Sequence, residues 1–172
     1  MKSILALLIV GACVAMPCGF AAERFTSDKP TPLKRLEPGK EDGNAVRFGG
    51  SVQLSGQFLV VWERRNDKPL YRQITFFPDA GSAALLPHPV GDKAVAELLF
   101  TNREKAGAML RDLATVEKAL AREQIGSEGA ATVTLRNYRT AVECDHRWYL
   151  AELVSAAKQE IVVSARQGHP GC

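Results

Sequence analysis

The stretch Ser51–Trp62, SVQLSGQFLVVW, decides the fold class. Val52, Leu54, Phe58, Val60 and Trp62 fall on one parity, while Ser51, Gln53, Ser55 and Gln57 fall on the other until Leu59 and Val61. A period of two is the signature of a strand, here with one face buried along its length and both faces apolar toward its end. Gly56 interrupts the run, and a glycine inside a strand marks a bulge or a sharp bend. The polar Arg64 to Pro69 segment reads as a turn. Leu70 to Phe77, closed by Pro78, Asp79, Ala80 and Gly81, reads as the antiparallel partner of a hairpin.

Downstream, Ser82 to Leu86 is expected as a short third strand before Pro87 and Pro89, and the apolar Ala94 to Phe100 run fits strand or helix. Thr101, Asn102, Arg103 and Glu104 have the spacing of a capping box. Ala106, Met109, Leu110, Leu113, Val116 and Leu120 follow at intervals of three or four, predicting a helix over about residues 102 to 123 with Gly107 as a weak point. After the turn formers Gly126, Ser127 and Gly129, strand character returns at Thr132 to Leu135, Ala141 to Cys144, Trp148 to Ser155 and Glu160 to Ser164. The pattern predicts a mostly β or α+β domain: a small antiparallel barrel with one helix.

Residues 1 to 22 read as a secretory signal peptide. Lys2 supplies the positive end, Ile4 to Val10 the apolar region, and a small-residue stretch ends at Ala21 and Ala22 before the charged Glu23 and Arg24. Gly11 and Pro17 break the apolar run short of the roughly 20 residues that span a bilayer. A periplasmic or secreted location is therefore expected. Cys13, after Val10, Gly11 and Ala12, loosely matches a lipobox, so a lipid-anchored envelope component is the alternative and the one route to the membrane.

Removing the leader leaves one domain's worth of chain and a formal charge of +2, from 21 Lys plus Arg against 19 Asp plus Glu. So balanced a chain argues against nucleic acid as a partner, since a phosphate backbone calls for a concentrated positive surface. Residues 23 to 44, with Pro30, Pro32, Pro38, Gly39 and Gly43 and scattered apolar positions such as Phe25, Leu33 and Leu36, are expected as a flexible arm or a loosely packed extension. The globular domain is assigned to residues 45 to 172. Cys144 and Cys172 remain after cleavage, and an even pair in an oxidising compartment predicts one disulfide. The chain-entropy account credits such a bridge with about 3 to 4 kcal/mol.

No constellation in the sequence carries a known chemistry. Cys144, Asp145 and His146 are the densest reactive group, and in an extended strand Cys144 and His146 would share a face, so a thiol or hydrolytic enzyme built on that pair is the second functional reading. Glu143 and Asp145 share strand parity in the same way, but that spacing is generic. His146 with His169, and Asp145 beside them, could gather at a metal only if the disulfide brings them close, and no cofactor is expected. His88, between Pro87 and Pro89, reads as a solvated turn residue. Phosphate loops, serine elbows and zinc-protease helices are absent from the sequence. Among the aromatics of the strands, Tyr71 and Tyr138 have polar neighbours and are the candidates for an outward binding surface.

Val52, Gln53, Leu54, Ser55 and Gly56, and later Ala131, Thr132, Val133, Thr134 and Leu135, with a helix between, resemble the first-strand and fourth-strand signals of small exported bacterial OB-like barrels. The likeness spans about half of the mature chain, and Arg136 and Asn137 stand where such barrels often place a glycine bend. It implies a binding module rather than an enzyme. Export, small size and the lack of a catalytic constellation in the sequence point to another protein as the partner, in the manner of an inhibitor or immunity protein.

Overall fold

Among the described residues, extended backbone carries the chain through eight strands and two short helices: β1 (Phe25–Thr26), β2 (Lys34–Arg35), β3 (Val46–Arg65), β4 (Lys68–Pro78), α1 (Ala80–Ala83), β5 (His88–Pro89), β6 (Leu98–Phe100), α2 (Arg103–Met109), β7 (Gly126–Glu143) and β8 (His146–Ser164). The computed structural model describes residues 23–39, 43–65, 68–110 and 126–164. The domain is mostly β, as the alternating pattern predicts.

β3 is the organising element because it pairs antiparallel with two partners, β4 along its second half and β7 along most of its length. β4 then pairs with β6, β6 with β8 and β8 with β7, so the path of pairings returns to β3. That path is uneven. The β4–β6 and β6–β8 ladders each hold two residue pairs, and β6 runs parallel to β8, so the sheet is mostly antiparallel but is not a closed barrel. Val52, Leu54, Phe58 and Val60 of β3 are buried as their parity requires, against Ile74 and Phe76 of β4, Leu98 and Phe100 of β6, Val133 and Leu135 of β7, and Ala151 and Leu153 of β8.

Several elements differ from expectation, each for a local reason. The 82–86 segment is not a strand. Asp79 caps α1 through a 2.7 Å bond from the Ser82 amide to its carboxylate, and the Ser82 hydroxyl accepts the Ser55 amide at 2.8 Å, which ties this turn to β3. Asn102 stands before α2 but makes no side-chain cap. Its amide instead donates to the Leu153 carbonyl and accepts the Leu153 amide, both at 2.9 Å, so it extends the sheet like one more strand residue. The part of the predicted helix beyond Leu110 lies outside the described residues. Trp148–Ser155 and Glu160–Ser164, read separately from sequence, are one strand whose register shifts between Ala130 and Thr132 of β7 and again between Thr134 and Leu135.

Gly56 marks a close approach of strands rather than a bulge. It pairs with Pro78, and a Cβ there would lie inside the shell of the Phe77 carbonyl oxygen and 2.9 Å from Pro78 Cα. The bend falls elsewhere, at Gly49 and Gly50. These two residues face Asn137 alone across the β3–β7 ladder, and Gly50 has φ +102. Asn137 and Tyr138 in turn face Ala151 alone across the β7–β8 ladder, with Asn137 at φ 52. Two irregularities thus abut across three strands. Asparagine tolerates the left-handed region, so Asn137 supplies the bend for which the sequence lacks a glycine.

Residues 23–39 also differ from the expected flexible arm, because two apolar anchors and short backbone ladders hold them to the domain. Leu33 is 4% exposed within the core, and the Phe25 ring packs edge-on to Phe48 at 5.4 Å. β1 pairs with β5, and β2 with β3. The Glu23 carboxylate accepts from Arg147, and its carbonyl accepts from Arg35 at 2.7 Å.

Candidate functional site

The hairpin joining β7 to β8 contains the densest reactive group. Glu143 pairs with His146, leaving Cys144 and Asp145 as a two-residue turn with φ of 50 and 57. Positive φ at both central positions is the twist-matching hairpin geometry that Asn-Gly sequences favour. Cys144 is therefore in the turn and not in an extended strand, and the shared face expected for Cys144 and His146, or for Glu143 and Asp145, does not form. The His146 ring instead meets Trp148 edge-on at 4.4 Å. Cys172 and His169 lie outside the described residues, and with them the predicted bridge and the two-histidine arrangement. Among the described residues, no three His, Cys, Asp or Glu side chains gather as a metal site would require. Asp145→Gly should raise stability by about 0.5 kcal/mol, read as a higher urea midpoint, since glycine enters this region without a Cβ penalty. A lower midpoint would mean that the carboxylate holds the turn.

Tyr138 is not an outward residue. It is 0% exposed, donates its hydroxyl to the Pro87 carbonyl at 2.7 Å, and packs against Phe48 and, nearly parallel at 6.4 Å, Tyr149. Burial is the chief cause that holds its phenol well above the usual tyrosine pKa, with Tyr149 adding to the rise and Arg147 opposing it. A side chain with no surface cannot stack on a partner, so Tyr138 belongs to the core. The side chain of Tyr71 lies outside the described residues. His88 is likewise buried rather than solvated, 4% exposed in β5 with Nδ1 3.2 Å from the Leu86 carbonyl oxygen and Nε2 3.9 Å from Asp28. The β1–β5 ladder covers it.

A concavity lies where the end of β4, the 91–97 segment and the start of β8 meet. This groove of about 560 Å³ is lined by the apolar Phe77, Ala94 and Tyr149 together with the charged Lys93, Glu97 and Arg147. Phe77 is exposed because its neighbour Phe76 takes the inward parity of β4 and is fully buried. Tyr149 is half-buried, and burial first of all raises its phenol pKa, with Arg147 opposing. Arg147 is fixed from three sides: it pairs with Glu23, approaches Asp92 at 3.6 Å, and lies over the Phe25 ring at 6.0 Å. The N-terminal segment thereby holds one side of the groove. Sequence reading passed over Phe77 as a pocket residue, although the FF pair at the end of a strand guarantees that one ring faces out.

No family model matches the chain, and no curated protein or solved structure matches it. Among the described residues no helix is long and apolar enough to cross a membrane.

Proposed function

We propose that this chain is an exported binding module of the cell envelope, non-enzymatic and OB-like, and that it docks another protein in the Phe77–Tyr149 groove. The groove is the observation that carries the reading. Accessible aromatic side chains among charges of both signs are the composition from which protein interfaces draw affinity, with aromatics as anchors and the charges as steering and registering elements. Its concavity and pre-formed walls lower the ordering cost of association.

The OB-like part of the proposal is supported by the order of pairings. Taking β3, β4, β6, β7 and β8 as the five barrel strands, the first pairs with the second and the fourth, the third lies beside the fifth, and α2 falls between the third and the fourth. That is how a partly open OB-like barrel lays out its chain. The bridge from Cys144 to Cys172 is part of the same proposal, with Cys144 presented at an exposed turn.

A photo-crosslinking amino acid at position 77, introduced in the producing cell, tests the docking reading. A discrete protein adduct is expected, absent when the probe stands instead at the exposed Val154 and reduced at least fivefold by Tyr149→Ala. Equal labelling from positions 77 and 154, or no adduct from 77, would overturn it.

A further inference from the structure

The groove follows the edge of a strand rather than one of its faces. His146 falls on one parity of β8 and Arg147 and Tyr149 on the other, yet all three line the groove. Successive side chains of a strand point to opposite faces, so a concavity that touches both parities runs along the main chain. That main chain is paired on one side alone. The first four residues of β8, His146 to Tyr149, form a ladder with β7, whereas β6 joins β8 only at Leu150 and Ala151. The 91–97 segment, which lines the same groove, leads into β6 without a ladder to β4 or β8, and among the described residues its backbone bond is the turn closure from the Asp92 amide to the Pro89 carbonyl at 3.1 Å.

The hairpin turn decides which groups face the open side. Glu143 and His146 flank the two-residue turn as a hydrogen-bonded pair, and bonded and non-bonded pairs alternate along an antiparallel ladder. Trp148 therefore turns its N–H to β7, while Arg147 and Tyr149 turn theirs into the groove. We infer that the docked partner contributes an extended segment that adds as a strand along His146–Tyr149, antiparallel to β8; this rests on the protein-docking reading of the groove and specifies the form of the partner. Main-chain bonds to such an edge give affinity, and alternate side chains give specificity. Phe77, 37% exposed, and the half-buried Tyr149 offer contact to a large apolar side chain in the middle of the added strand. The charges set its direction. Arg147 is already held by Glu23 and Asp92, whereas Lys93 and Glu97 have no ion-pair partner among the described residues. Glu97 adjoins β6, and Lys93 stands four residues before it on a segment that leads into a strand parallel to β8. An antiparallel partner strand thus meets Glu97 first and Lys93 last, so it carries a base toward its N-terminal end and an acid toward its C-terminal end.

The probe is the capped pentapeptide Lys-Val-Phe-Val-Glu, added to the isotope-labelled mature protein. Saturable amide shifts within residues 93–97 and 146–149 are expected, with exchange of the Arg147 and Tyr149 amides slowed at least tenfold and that of the Trp148 amide, already bonded to β7, little changed. The reversed peptide Glu-Val-Phe-Val-Lys should bind at least tenfold more weakly. Of two further peptides, N-methylated on one or the other set of alternate amides with every side chain kept, one should lose binding by the same factor, since only one set faces β8. Undiminished binding by both methylated peptides or by the reversed one, or shifts without protection of Arg147 and Tyr149, would overturn strand addition while leaving docking through side chains standing. Protection of those two amides in the protein without peptide would overturn it as well, because the chain itself would then cover the edge. Absence of saturable binding overturns the inference too, and crosslinking from position 77 then decides separately whether the docking reading survives.

Discussion

Tyr138→Ala is expected to lose about 3 to 5 kcal/mol of folding stability, the usual effect of deleting a fully buried ring, read as a collapse of the urea midpoint at unchanged slope. The ring fills the space between Phe48 and Tyr149, and neighbours on separate strands cannot all move inward to close the cavity. Tyr138→Phe separates the hydroxyl from the ring. It leaves the Pro87 carbonyl without its 2.7 Å donor and should cost about 1 to 3 kcal/mol, since an orphaned buried acceptor pays its full desolvation. The pH dependence gives an internal check. A phenol whose folded pKa is raised contributes stability that is complete below the unfolded tyrosine pKa of about 10 and is lost as pH rises through and beyond it. Wild type should therefore lose more stability than Tyr138→Phe on going from pH 9 to 11. Equal losses would mean that the hydroxyl is not buried.

The same residue shows why part of this molecule was legible from sequence and part was not. Asn137 and Arg139 flank Tyr138, and polar neighbours suggest an outward position. In a strand, however, neighbours at i−1 and i+1 occupy the opposite face, so polar flanks mark an inward ring. Correct use of that period on Val52, Leu54, Phe58 and Val60 is what made β3 readable. β6 was ambiguous because three residues cannot display a period, and its parallel pairing with β8 is a long-range property with no local signature. Residues 23–39 were misjudged because composition averages over a segment, whereas Phe25 and Leu33 bind it through single side chains in pockets made by distant strands. Gly49 and Gly50 carry no reading on their own, because their opposition to Asn137 depends on register. The groove could not be anticipated, since Phe77 and Tyr149 come to line one concavity only through pairings of strands far apart in the chain.

Gly56→Ala is the second large effect, expected at about 3 kcal/mol, and it connects the fold to the groove. The added methyl would meet the Phe77 carbonyl oxygen, the tip of the Phe76 ring at 2.9 Å and Pro78 Cα at 2.9 Å. The Phe76 ring can shift, but the other two contacts are backbone, so relief requires moving the end of β4 away from β3. That end is anchored. Asp79 donates its amide to the Ser55 carbonyl at 2.9 Å, and Ser82 accepts the Ser55 amide, so the strand, the following turn and α1 must move together. Overpacking of this kind commonly costs about 1 to 3 kcal/mol, and backbone obstacles place it at the upper end. Gln57→Ala, one residue on and exposed, should stay within about 0.5 kcal/mol of wild type and serves as the control. Because the displaced carbonyl belongs to Phe77, Gly56→Ala should also weaken crosslinking from position 77 at temperatures where the variant is still folded. A stability within about 0.5 kcal/mol of wild type would mean that β3 and β4 do not approach as closely at Gly56 as the packing requires.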